Sequence, residues 1–199
     1  MSPARYPAEP AHPARPGATP LPTARPRLHL DPVGGMAGDM FLAACLDLGV
    51  PLSVVTGAVE ALGLEEVTVE AWPSSRGGRA GTRFRVRVDG ESLEEDDPDR
   101  LVTSADWDLI GLLGFLRASD LAEPVRLRAA RMFRRLSIAW ARAARVPITA
   151  VRFAGGPGLD FLVDLVGAAA VVEHLFGPGD GEDDGPWVTC GPVFLGGPG

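Results

Sequence analysis

Apolar positions fall into two periods along the chain. From Leu28 to Asp31 a short apolar run reads as a strand, followed by the glycine-rich turn Pro32-Val33-Gly34-Gly35-Met36-Ala37-Gly38. Asp39 then opens an apolar helix, Met40 to Leu48, which Gly49 stops. Pro51 suits the first turn of a second helix through Leu52, Val55, Val59 and Leu62, ending at Gly63. Val67–Trp72 alternates as a strand, Arg76–Gly81 reads as a turn, and Thr82–Asp89 alternates most clearly. Phe84, Val86 and Val88 face one way and Arg83, Arg85 and Arg87 the other, so one sheet face is buried and one is wet.

The second half turns helical. Asp106–Arg117 reads as a helix, and Ala122 to about Arg145 as a longer one. In the longer helix Val125, Ala129, Met132, Phe133, Leu136, Trp140 and Ala143 recur every three or four residues, opposite a face rich in arginine. A short strand at Ala150–Phe153, a glycine turn at 154–158, a helix from Leu159 to Phe176 and a strand from Trp187 to Leu195 complete the pattern. Alternating strands and helices predict an α/β domain over 28–199, with a mixed central sheet of about five strands and helices packed on it. Residues 1–27 hold eight prolines and four arginines with no apolar period. They predict a disordered Pro/Arg tail.

Composition narrows the chemistry. The net charge of −7 over 199 residues excludes sequence-independent nucleic-acid binding, which needs a basic footprint. All 19 basic residues are arginine, so Schiff-base and P-loop lysines are absent. His12, His29 and His174 are the full histidine complement, too few for a histidine-built metal centre within one chain. Cys45 and Cys190 form no CxxC pair, and a reducing cytoplasm is the expected compartment. No apolar run reaches about 18 residues, so no membrane span is expected.

Two segments carry candidate chemistry. The strand–turn–helix unit could present the backbone amides of Gly34, Gly35 and Gly38, and the helix start at Asp39, to an anionic ligand, or serve only as a structural turn. Asp31 stands at the end of its strand. In the last helix, Asp160 and Asp164 are four apart and share a face among apolar neighbours. Buried carboxylates must be bonded, paired or metal-bound, so this pair reads as a candidate catalytic or metal site, against a helix cap plus a structural ion pair. The acidic stretch Glu91–Arg100 lacks the ordered spacing of a calcium loop and reads as solvated.

Taken in order, these segments resemble the LarC-type nickel insertion proteins. The matching runs are Leu28-His29-Leu30-Asp31 with Gly38-Asp39-Met40-Phe41-Leu42 and Leu46-Asp47-Leu48-Gly49. They continue through Gly81-Thr82-Arg83-Phe84 and Met132-Phe133-Arg134-Arg135-Leu136, then Asp160 with Val163–Ala169, and Gly191–Gly196. The resemblance implies nickel insertion into pyridinium-3,5-bisthiocarboxylic acid mononucleotide, making the nickel-pincer cofactor of lactate racemase-type enzymes. That would be the activity of a nickel chelatase or cyclometallase of the lyase class. It implies a site lined by Asp31, Asp39, Asp160 and Asp164, with metal ligation by Asp31, Asp160 and Asp164. The family's C-terminal domain, associated with CTP and Mg or Mn, has no counterpart here, so a separate C-terminal LarC-like chain is an expected partner, and a homo-oligomer is another. Two departures are visible. Glu91–Arg100 occupies the place of a histidine-rich stretch, and Arg152-Phe153-Ala154-Gly155 that of a histidine–phenylalanine–histidine–glutamate run. They favour an alternative: a diverged, non-catalytic relative that binds a ligand or a partner. A third reading, independent of the family, is a small protein holding a phosphorylated ligand at Gly34–Gly38.

Overall fold

The computed structural model describes residues 27–32, 35–88, 91–92, 107–153, 155–177 and 188–193. The elements are β1 (Leu28–Leu30), α1 (Gly38–Asp47), α2 (Leu52–Glu60), β2 (Val67–Arg76), β3 (Arg79–Val88), β4 (Glu91–Ser92), α3 (Leu109–Ala118), α4 (Glu123–Ala144), α5 (Gly155–Phe176) and β5 (Val188–Cys190). A 3-10 turn at Ile148–Ala150 joins α4 to α5. The predicted tail and most of the acidic stretch lie outside the described residues.

The centre of the fold is a helix. Along α5, Leu159, Leu162, Val163, Val166, Ala169, Ala170 and Val171 are buried, because α1, α2 and α4 all pack on it. A helix apolar on most sides is stable only when surrounded in this way. Gly167 lets α5 approach closely: a Cβ there would come within 3.1–3.2 Å of Leu42 and Val55 side-chain carbons.

The α/β class holds, but the single central sheet of about five strands does not. Among the described residues there are two separate small sheets, β1–β5 (parallel) and β2–β3–β4 (antiparallel). Alternation reveals that a segment is a strand, but pairing depends on where the other elements pack. β2 and β3 run in register from Val67↔Val88 to Arg76↔Arg79, around a two-residue Gly77-Gly78 turn with φ of +58° and +76°. Such a turn matches the right-handed twist of its strands. The ribbon buries Phe84, Val86 and Val88 as the pattern predicts, with α1 packed against β3. Its other face carries Trp72 with the Arg85 and Arg83 guanidinium groups over its ring at 5.0 and 5.9 Å, and Glu70 bonded to Arg87 at 3.0 Å.

The predicted strand at Ala150–Phe153 is also corrected. Ile148–Ala150 forms the 3-10 turn, and only Phe153 bridges, exchanging both backbone bonds with Trp107 at 2.8 and 3.0 Å. The predicted glycine turn at 154–158 is corrected too, since α5 already starts at Gly155, whereas the other helices follow their signals closely. Pro51 sits at the N-cap of α2. Asp108 caps α3 by accepting the Gly111 N–H at 2.8 Å, and α4 ends at Arg145 with φ of +56°. Of the predicted strand Trp187–Leu195, residues 188–190 are extended and paired, while Trp187, Phe194 and Leu195 lie outside the described residues.

Candidate functional site

Asp160 and Asp164 lie one turn apart near the start of α5, and packing of α1 on α5 brings the start of α1 to them. Gly38, the first residue of α1, abuts Asp164 so closely that a Cβ on it would overlap the carboxylate. The next residue, Asp39, donates its backbone N–H to the Asp164 carboxylate. Its own Oδ1 accepts the Met40 N–H at 2.7 Å. The Asp160 and Asp39 carboxylates both act on Asp164 at the α1–α5 contact.

Asp164 is only 8% exposed, and its Oδ1 accepts no hydrogen bond among the described residues. Burial is the largest influence on its acidity, followed by the Asp160 charge and then the Asp39 charge. Together they raise the carboxyl from its ordinary 3.8 to about 7, against the Asp39 N–H, which favours the anion. At neutral pH Asp164 therefore exchanges its proton readily. A divalent cation arriving here would replace that proton and satisfy the orphaned oxygen. The donors are hard oxygens, which suit Mg, Mn and related ions and are accepted by nickel, although nickel favours imidazole and sulfur.

The other predicted residues lie apart from this contact or outside the description. Gly34 is outside the described residues. Gly35 adopts φ of +91° in a turn closed by its N–H to the Pro32 carbonyl at 3.2 Å. Asp31 is exposed at the end of β1, beside Gly191. Among the described residues, no group of three or more His, Cys, Asp and Glu side chains is placed to hold a metal ion.

Sequence reasoning missed the contribution of Gly38 and the Asp39 amide, because a contact between residues so far apart leaves no local signal. It also missed the pairing of His29 Nδ1 with Thr189 Oγ1 at 2.9 Å. Arg152 donates from Nη1 to the Thr149 and Val151 carbonyls at 2.7 and 3.1 Å. It thereby ties down the 3-10 turn. Phe153 is core, edge-on to Phe133 and Trp140.

Elsewhere, an open cavity of about 490 Å³ lies between α2 and β2, lined by Thr56, Val59, Glu60, Leu64 and Val67 among others. It contains none of the candidate residues. No helix among the described residues is long and apolar enough to cross a membrane.

Comparison with known proteins agrees with the order of segments. The profile described as nickel insertion protein matches residues 28–196. A protein of Geobacter metallireducens is 39% identical over 150 residues, covering 74% of this chain and 35% of its own length. One of Syntrophobacter fumaroxidans is 35% identical over 147 residues, covering 74% and 34%, and one of Citrifermentans bemidjiense is 35% identical over 147 residues, covering 74% and 35%. All three are provisionally named nickel insertion proteins. No solved structure matches. The chain spans about a third of the length of these relatives. With residues 28–196 matched and relatives 35–39% identical over 74% of its length, the chain belongs to the nickel insertion protein family.

Proposed function

We propose that the chain handles nickel as cargo, as the N-terminal part of an LarC-type assembly that inserts the metal into pyridinium-3,5-bisthiocarboxylic acid mononucleotide. The observation that carries this reading is the buried Asp164 carboxyl, with an orphaned oxygen and with Asp160 and Asp39 acting on it. Asp160 and Asp39 supply negative charge, and Asp164 exchanges a proton for the cation. The bond-forming chemistry, with CTP and Mg or Mn, belongs in this reading to a second chain corresponding to the rest of the relatives' length.

The test is calorimetric titration of nickel chloride into the full chain, alone and with that second chain. Asp160→Asn and Asp164→Asn are each expected to weaken binding at this carboxylate site at least tenfold. A folded protein that takes up no nickel in either state overturns the reading.

A second reading is a partner- or ligand-binding module that has lost the metal chemistry. It is favoured by Arg152, which ties down a turn at the position where the resemblance implies a histidine ligand. In that case the second chain binds but nickel does not.

A further inference from the structure

The α1–α5 contact offers only carboxylates. The one imidazole paired across the β1–β5 sheet lies elsewhere, and its surroundings have the form of a metal site. Strand alternation puts His29 and Asp31 on the same face of β1. The parallel register sets His29 beside Thr189, and Gly191 follows β5, its N–H bonded to the Leu30 carbonyl at 2.8 Å.

Three donor atoms surround the empty side of Gly191. A methyl carbon placed on it would lie 3.5 Å from Asp31 Oδ1, 3.6 Å from the Leu30 carbonyl oxygen and 3.8 Å from His29 Nε2. These are ordinary contact distances, and Gly191 is not among the described glycines with positive φ. Neither backbone conformation nor crowding by the protein therefore requires glycine here. Its effect is to leave a notch between an imidazole nitrogen and a carboxylate oxygen.

His29 is also oriented from behind. Its Nδ1 pairs with Thr189 Oγ1 at 2.9 Å. A cation on Nε2 selects the tautomer in which Nδ1–H donates to Thr189, the outer partnership that metal-bound histidines regularly show. The Leu30 carbonyl keeps a second lone pair beyond the one used by Gly191.

We propose that His29 Nε2 and the Asp31 carboxylate, with the Leu30 carbonyl oxygen, bind a divalent transition-metal ion of the nickel and zinc class in the notch beside Gly191. Water fills the other coordination positions. The site goes beyond the carboxylate cluster and does not depend on it. Its imidazole gives it the better donor for nickel, and its exposure makes the ion exchangeable, as suits a site of entry or transfer.

The full chain carrying Asp160→Asn and Asp164→Asn together removes the α5 carboxylates and leaves this site to be read by itself. Nickel chloride titrated into that double variant is expected to bind at one equivalent. His29→Gln, Asp31→Asn and Gly191→Val, each added to it, are expected to weaken binding at least tenfold, with circular dichroism confirming the fold. Gly191→Ala provides a milder steric step should valine disturb the strand pair. In proton spectra, substoichiometric nickel broadens the His29 imidazole signals, with His12 and His174 as internal references. No binding in the double variant, binding indifferent to His29→Gln and Asp31→Asn, or an unbroadened His29 with nickel bound overturns the proposal. Loss confined to the Asp160 and Asp164 variants supports the carboxylate reading alone. Loss confined to the His29 and Asp31 variants supports this site alone.

Discussion

Gly38 meets the Asp164 carboxylate with no room for a side chain between them. The start of one helix and the buried acid of another are thus set by a single missing carbon. Gly38→Ala forces α1 and α5 apart or turns the carboxylate away. The expected loss of stability is about 1–3 kcal/mol, measured by urea denaturation. Because the Asp39 amide moves with it, the loss should be smaller when Asp164→Ala is already present.

Asp164 makes stability depend on pH with a definite sign. Its folded-state pKa of about 7 lies above the ordinary 3.8. Between those values the unfolded chain releases a proton that the native state keeps, so stability falls as pH rises through that window and levels off above it. The loss is on the order of 1.4 kcal/mol for each pH unit of the window. Asp164→Asn carries no such penalty. Its melting temperature should exceed that of the wild type at pH 8, with the gap closing toward pH 4.

Arg128 and Glu173 tie α4 to α5 through a bond of 3.1 Å, with side chains 14% and 16% exposed. Removing one partner leaves the other partly buried, so Glu173→Gln should cost about 1–3 kcal/mol. A double-mutant cycle with Arg128→Met is expected to show coupling, and the cost should change little between low and moderate salt, because the pair is shielded from solvent ions.

Phe153 joins α4 to the segment that leads into α3. Its ring meets Phe133 and Trp140 edge-on at 5.9 and 6.0 Å, and its backbone pairs with Trp107. Phe153→Ala should cost about 3–5 kcal/mol, read by denaturation, with a change in the fluorescence of Trp140 and Trp107.

The elements legible in the sequence are those whose signal is local. The alternation of Phe84, Val86 and Val88, the three-four spacing of Val125, Ala129 and Phe133, and the Pro51 helix start all survive, because each is fixed within a few residues. Asp160 and Asp164 were legible as neighbours for the same reason. What the sequence hid is long-range. The α1–α5 contact, which gives Asp164 its amide donor and its crowding glycine, joins distant segments, and so does the pairing of β1 with β5. Phe153 is misleading for a related reason: a β-prone residue alternating with Val151 looks like a strand, whereas here it supplies one core ring and one bridge.

The pairing of His29 with Thr189 spans 160 positions. Three-residue strands gain little from pairing, while closing a loop of that length carries an entropy cost that grows with the logarithm of its length. Contacts of such high order are rewarded only after the helical core has drawn the ends together. The β1–β5 strand pair is therefore a late event in folding and an early one in unfolding. Amide exchange at β1 and β5 should outpace that of α5 by orders of magnitude, and a ligand bridging residues on β1 would act as a latch on the most labile part of the fold.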